Sequence, residues 1–248
     1  MYRHETYDFV QSLYVVGGEQ REHFNQLKAV LKEMGYAWSD EIHHIPFGLI
    51  TQGGKKLSTR SGRVILLEEV LNDAVQLASQ QIEAKNPDLP NKAEVAKQVG
   101  IGAVIFHDLK NDRLDNFDFN LEEVVRFEGE TGPYVQYTNA RAQSILRKAS
   151  QTVVVDDQLV VGDANAWDVL KMLSTFPDIV ARASQAYEPS IVAKYALRLA
   201  KAFNKYYANS KILADDDQRN ARLSLVKSVS TVLETALGLL GVQAPKEM

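Results

Sequence analysis

Along the first fifty residues the apolar positions follow two different periods. Leu13, Tyr14, Val15 and Val16 form a short, partly β-branched run, which predicts a buried strand. Gly17 and Gly18 break it. Phe24, Leu27, Leu31 and Met34 then recur at three- and four-residue steps, predicting a helix closed by Gly35 at its C′ position. A second strand is expected over Ile42 to Ile45, with Gly48, Leu49 and Ile50 extended beyond Pro46. Strand, glycine turn, helix and strand make a βαβ unit with a parallel pair. One such unit does not complete an open sheet.

After Arg63 the period becomes helical and stays so. Leu67, Val70, Leu71, Ala74, Ala78 and Ile82 mark one helix ending at Asn86-Pro87, and a second runs from about Ala93 through Val95 and Val99 toward Phe106. Asn120 with Glu123 has capping-box spacing and opens a helix from Leu121 to Phe127. Pro133 suits the first turn of a helix reaching about Ser150. Asp163 is placed to cap a helix carrying Trp167, Leu170 and Leu173, ended by Pro177. Pro189 opens another, with Val192, Tyr195, Leu199, Phe203 and Tyr206 down one side. Leu225, Val229, Val232 and Ala236 mark the last, stopped by Gly241 and Pro245. The expected fold class is therefore α/β followed by all-α, with a boundary near residue 125 separating domains 1–125 and 126–248. No internal repeat or coiled-coil heptad is found.

Composition narrows the class without fixing the function. The 248 residues are 45% hydrophobic and 24% charged, as in ordinary globular proteins. The absence of cysteine excludes disulfides and thiolate metal sites. No apolar run is long enough to span a membrane, and the first residues lack the apolar core of a secretory signal. Net charge is -4 overall but uneven. Residues 1–125 carry 13 Lys and Arg against 19 Asp and Glu, whereas residues 126–248 carry 15 against 13. The C-terminal half can approach phosphate, though its charge alone does not make it a nucleic-acid binder.

Three segments hold candidate chemistry. Gly53 to Arg63 packs three glycines, three hydroxyls and four basic side chains between a strand and a helix. That composition suits an anion, although the spacing is not that of a Walker A loop; a solvated basic loop has the same composition. Gly17, Gly18 and Gln20, with His23 a turn later, lie beyond the carboxyl end of a strand, where open α/β sheets present ligands. His43 and His44 are adjacent, so on a strand they face opposite ways and cannot share a metal; no metal site is expected. Tyr134, Tyr137, Arg141, Ser144 and Lys148 form one polar-aromatic stripe, and Tyr206, Tyr207 and Lys211 a second. Aromatics interleaved with cations suit stacked bases and phosphates; tyrosines packed in a bundle would give the same pattern.

Together these segments resemble the C-terminal part of the arginyl-tRNA synthetases, which are class I aminoacyl-tRNA synthetases. The resemblance runs through Leu13 to Leu27 (LYVVGGEQREHFNQL), His44 to Ile50 (HIPFGLI), and Lys56-Leu57-Ser58-Thr59-Arg60, which is similar to the Lys-Met-Ser-Lys-Ser loop. It continues through Phe127 to Tyr137 (FEGETGPYVQY), Tyr195-Ala196-Leu197-Arg198, similar to the Asp-Ala-Leu-Arg signature, and Leu239 to Met248 (LLGVQAPKEM). A cysteine-type enzyme of the same class would need Cys and His zinc ligands that this sequence lacks.

The resemblance implies an incomplete Rossmann-like nucleotide-binding fold followed by an α-helical anticodon-binding bundle. It implies a cytoplasmic arginine–tRNA ligase whose partners are arginine, its tRNA and ATP with Mg2+. Lys56 is implied as the loop's first lysine, with Ser58 as a further phosphate or ribose contact, while Thr59 replaces the usual second lysine and Arg60 beside it is placed to supply charge. Gln20 is implied at the amino-acid pocket, with Gly17, Gly18 and His23 lining the same mouth. Tyr134, Tyr207 and Met248 are implied as anticodon contacts, and Arg141 and Lys148 are placed as phosphate contacts by their positions on the stripe. No His-Ile-Gly-His motif occurs, so a truncated chain, inactive alone, is expected; the alternative is a non-catalytic tRNA-binding module or paralogue. An exposed half-sheet is expected to self-associate near Leu13 to Val16.

Overall fold

The β-branched run and the segment after Trp38 form two strands, β1 (Ser12–Gly17) and β2 (Ile42–Phe47), paired in parallel in the register Ser12↔Ile42 to Gly17↔Phe47. This is a computed structural model in which residues 1–52, 55–56, 66–149 and 162–248 are described. Helix α1 (Tyr2–Tyr7) stands before β1, and the connection between the strands carries α2 (Arg21–Glu33). Gly35, at φ +82°, ends α2, and the Tyr36 amide donates back to the Leu31 carbonyl at 3.1 Å. That is a left-handed closure in which glycine carries no Cβ penalty. Phe24 and Leu31 on α2 and Ile42 on β2 form a small core, against which Tyr14, Val16, Leu27, Tyr36 and Trp38 pack.

This packing buries the first strand on one side only. Tyr14 and Val16 point toward α2, but Leu13 and Val15 are 48% and 64% exposed. Among the described residues, one face of the two-stranded sheet packs against a helix and the other does not, so the run behaves as an alternating strand. The helix α1 was not foreseen. It buries none of its residues, although His4 stacks on Trp38 at 4.9 Å and Phe9 meets the same ring edge-on.

Beyond β2, the chain breaks at Gly48 and Leu49 and then forms a second, three-stranded sheet in the order β4-β3-β5. Its strands are β3 (Ile50–Gln52), β4 (Lys55–Lys56) and β5 (Phe117–Asp118), with β3 antiparallel to β4 and parallel to β5. Arg113 ties the returning chain down, its Nη1 donating to the Pro46 carbonyl at 2.8 Å while its own carbonyl accepts from Gly48 N at 2.7 Å. By compactness, Met1–Leu57 and Asp112–Phe119 form one unit; Ser58–Asn111 and Asn120–Met248 form the other. The helical residues up to 111 thus pack with the C-terminal bundle, whereas the functional division expected from sequence falls near residue 125.

The second unit is helical. Helices α3 (Leu67–Lys85) and α4 (Lys92–Lys110) form a hairpin that packs at small residues, with Ala74, Ala78, Ala96 and Ala103 fully or almost fully buried. Asn120 caps the short α5 (Leu121–Val124), its side chain accepting from Glu122 and Glu123 amides. Only this first turn of the expected helix forms. The long α6 (Gly132–Ala149) follows. Asp163 caps a 3-10 turn leading into α7 (Trp167–Ser174), its Oδ1 accepting from Asn165 N at 2.8 Å. Pro177 does not merely end that helix. It sits in the first turn of α8 (Phe176–Ala186), where a missing N–H costs nothing. The remaining helices are α9 (Ser190–Asn209) and α10 (Arg219–Leu239). The stripe Val192, Tyr195, Leu199, Phe203 and Tyr206 is buried as the period predicts, at the centre of a core with Phe106, Leu223, Leu233 and Leu237. No described helix is long and apolar enough to cross a membrane.

Candidate nucleic-acid interface

In the helical unit, a cavity of about 730 Å³ opens between α6, α9, the segment after α9 and the last residues of the chain. Tyr137, Arg141, Lys148, Tyr207, Lys211 and Met248 line it. Steps of three and four along α6 put Tyr137, Arg141, Ser144 and Lys148 on one face, and a step of four on α9 and beyond adds Tyr207 and Lys211. Tyr137 and Tyr207 are 36% and 43% exposed. Arg141 stands over both, with its guanidinium carbon 5.1 Å from each ring centroid. Exposed aromatic faces beside cationic side chains in one concavity suit a ligand with planar rings and negative charge.

Two devices hold the walls of the cavity. The tail crosses α6 under three ties: Gln136 Nε2 donates to the Gln243 carbonyl at 2.7 Å, Arg147 Nη1 to the Lys246 carbonyl at 3.1 Å, and Arg147 Nη2 pairs with Glu247 at 3.2 Å. Asn86 Nδ2 adds a bond to the Met248 carbonyl at 3.3 Å. On the other side, buried Arg222 donates to the carbonyls of Ile212 and Ala214 and to Asp216 Oδ1 at 2.7 Å. This fixes the segment that carries Lys211 and Leu213 into the wall. The Arg222 hydrogen bond holds the Asp216 carboxyl below the usual carboxylate range. Asp163, which accepts from the Ser210 hydroxyl, is lowered in the same way.

The structure brings Arg141, Lys148, Tyr207 and Met248 to one cavity. It does not put Tyr134 among the cavity's lining residues. Tyr134 is half-buried against the bundle core, and its hydroxyl accepts from Asn204 Nδ2 at 3.0 Å. Tyr137, which the sequence offered only as one member of the stripe, supplies the α6 ring in the cavity. Asn204 was missed altogether. Its signal was its place three residues before Tyr207 on the same helix face, but no sequence pattern shows what that face meets. The signature Tyr195, Ala196 and Leu197 is buried core, and the Tyr195 hydroxyl donates to the Met172 carbonyl at 2.8 Å.

In the other unit, Gly17 ends β1 and Gly18–Gln20 form a 3-10 turn before α2. Gln20 takes the position before the helix without a capping bond from its side chain, and both Gln20 and His23 are exposed at this end. His23 meets Phe24 edge-on at 5.4 Å, and Phe24 stacks on His44, whose Nε2 lies 3.3 Å from the Val16 carbonyl. Gly17, Gly18, Gln20 and His23 therefore share the carboxyl end of a parallel strand, where a ligand can reach backbone amides. Lys56 is the last residue of β4, opposite Thr51. Ser58 and Arg60 lie outside the described residues. Among the described residues, no group of three or more His, Asp or Glu could hold a metal ion.

Comparison with known proteins divides the chain in two. Residues 1–121 match a family model described as the catalytic domain of class I tRNA synthetases of the arginine type, and residues 135–248 one described as the DALR anticodon-binding domain. The whole chain is 91% identical to part of an arginine–tRNA ligase of Latilactobacillus sakei and 72% identical to part of that of Lactiplantibacillus plantarum. It spans 44% of the length of each. The arginyl-tRNA synthetase of Thermus thermophilus superposes with a TM-score of 0.87 at 34% identity, over 96% of this chain and 41% of that one.

Proposed function

The chain belongs to the arginyl-tRNA synthetase family, and on that premise we propose that it serves arginine–tRNA ligation, with residues 126–248 binding the anticodon of arginine tRNA. Residues 1–125 contribute part of the site for arginine and for ATP, the latter entering with Mg2+ as substrate in the cytoplasm. The observation that carries this reading is the convergence of Tyr137, Arg141, Lys148, Tyr207 and Met248 on one cavity, from positions as far apart as 137 and 248. Unstacked anticodon bases present planar faces that stack on tyrosines, while exposed Lys148 and Lys211 neutralise the loop's phosphates.

In the first unit, Gln20 is assigned to the arginine pocket and Gly17, Gly18 and His23 to its rim. Lys56, Ser58 and Arg60 are assigned to the phosphates of ATP, where preorganised positive charge lowers the barrier to pyrophosphate departure. The 248 residues contain no His-Ile-Gly-His motif, so the isolated chain is expected to give no arginine-dependent exchange between ATP and pyrophosphate. Binding is accordingly the decisive measurement. The dissociation constant for an arginine-tRNA transcript is compared with that for an anticodon-substituted one at a single, near-physiological salt concentration, because phosphate contacts are strongly screened. The reading expects a clear preference for the arginine anticodon. Equal binding of the two transcripts overturns it.

A further inference from the structure

The Arg141 guanidinium occupies an unusual place for a group expected to hold phosphate. It lies over the Tyr137 ring and over the Tyr207 ring at the same 5.1 Å distance, so that it covers one face of each. Its Nη1 donates to Asn204 Oδ1. The orientation of the Asn204 amide is itself fixed by two further bonds. Asn204 Nδ2 donates to the Tyr134 hydroxyl at 3.0 Å and to Thr138 Oγ1 at 2.9 Å. Thr138 spends its own hydroxyl hydrogen on the Tyr134 carbonyl at 2.8 Å, so toward Asn204 it can only accept. The amide nitrogen must therefore face Thr138 and Tyr134, which leaves the amide oxygen for an arginine that has only donors to offer.

We propose that Arg141 is a positioning residue, which holds Tyr137 and Tyr207 apart as a matched pair of stacking platforms and is itself set by Asn204, Thr138 and Tyr134. This rests on the anticodon-binding reading above and refines it. A planar, weakly hydrated guanidinium can sit between two aromatic faces and still direct a donor in plane to Asn204, a geometry closed to the compact ammonium of lysine. Phe127 meets the Tyr137 ring edge-on at 6.1 Å, so a base stacks on the ring surface that Arg141 and Phe127 leave exposed. The same network explains Tyr134, whose hydroxyl acts one layer behind the cavity.

The test is the salt dependence and base selectivity of RNA binding by the 248-residue chain. Arg141→Gln is expected to weaken binding of the arginine anticodon stem-loop about tenfold and to erode its advantage over a substituted anticodon, as loss of a stacking platform does. The slope of log Kd against log salt is expected to stay at the wild-type value. Lys148→Gln, removing a phosphate contact, is expected to reduce that slope by about 0.7. Arg141→Lys is expected not to restore selectivity. Tyr134→Phe keeps the ring and removes only the acceptor, so it shifts selectivity in the same direction even if Arg141→Gln fails to fold. A fall of about 0.7 in the slope for Arg141→Gln with selectivity intact makes Arg141 a phosphate ligand and overturns the inference alone. Wild-type selectivity in both Arg141→Gln and Tyr134→Phe also overturns it alone. A wild-type chain that binds neither RNA selectively overturns the function reading and this inference together.

Discussion

Two tyrosines in α9 differ by a single hydrogen bond, and that difference is measurable. Tyr195 and Tyr206 are both buried, and burial pushes each phenol up to about 12. The Tyr195 hydroxyl donates to the Met172 carbonyl, whereas the Tyr206 hydroxyl finds no partner among the described residues. Tyr195→Phe is expected to cost about 1 kcal/mol in denaturant unfolding, and Tyr206→Phe to be neutral or stabilising by up to about 1 kcal/mol. Because an unfolded phenol titrates near 10, the stability that both rings contribute is complete below about pH 10. It falls as pH rises from there through about 12, so the melting temperature should drop over that interval, and should drop less in the double phenylalanine variant. Periodicity alone placed Tyr195 and Tyr206 inside the bundle. The same reasoning could not separate Tyr134 from Tyr137, since both lie on one helical arc and only the packing of α9 against α6 decides which ring reaches the cavity.

Helix pairing rests on where a Cβ can fit. A methyl group at Gly100 in α4 would come within 2.6 Å of the Val75 backbone in α3, which cannot yield as a side-chain tip can. At Gly238 in α10 it would meet nothing within 4 Å. Gly100→Ala is therefore expected to destabilise the chain by about 2 kcal/mol despite its better helix propensity, and Gly238→Ala to stabilise it by about 0.5–1 kcal/mol. Paired urea titrations check both. Most elements were readable from period and punctuation: Gly35, Asn120, Pro133 and Gly241 stand where a helix begins or ends. The break between α7 and α8 was not, because a proline marks a helix start as readily as a helix end. The short α1 was invisible for a different reason. It has no apolar period; ring contacts of His4 and Phe9 with Trp38, and Arg3 over the Tyr14 ring at 5.3 Å, hold the N-terminal segment in place.

For the chain as a whole, charge and exposed apolar surface act in different halves. The acidic residues concentrate before residue 125 and the slight cationic excess after it, so a polyanion meets less repulsion at the C-terminal half, a difference that salt suppresses. In the other half, β1 has β2 as its only strand partner among the described residues and leaves Leu13 and Val15 open to water. An edge with an apolar face is a template for pairing with another copy. Sedimentation velocity is expected to show concentration-dependent association, relieved by Leu13→Lys with Val15→Lys; a monomer at every concentration counts against it. The βαβ unit could be inferred from the first fifty residues. What the sequence withheld was the return of residues 112–119 to it, since two short strands paired across such a separation leave no periodic trace.

That return governs how the chain can be made. Thr51 and Asp118, joined across β3 and β5, are 67 residues apart, whereas α3 and α4 pair across the short turn at 86–91. A ribosome adding 5–20 residues per second therefore leaves β3 without β5 for roughly 3 to 13 seconds while the helical hairpin is synthesised. Codon choice between positions 58 and 111, which alters no side chain, sets the length of that wait.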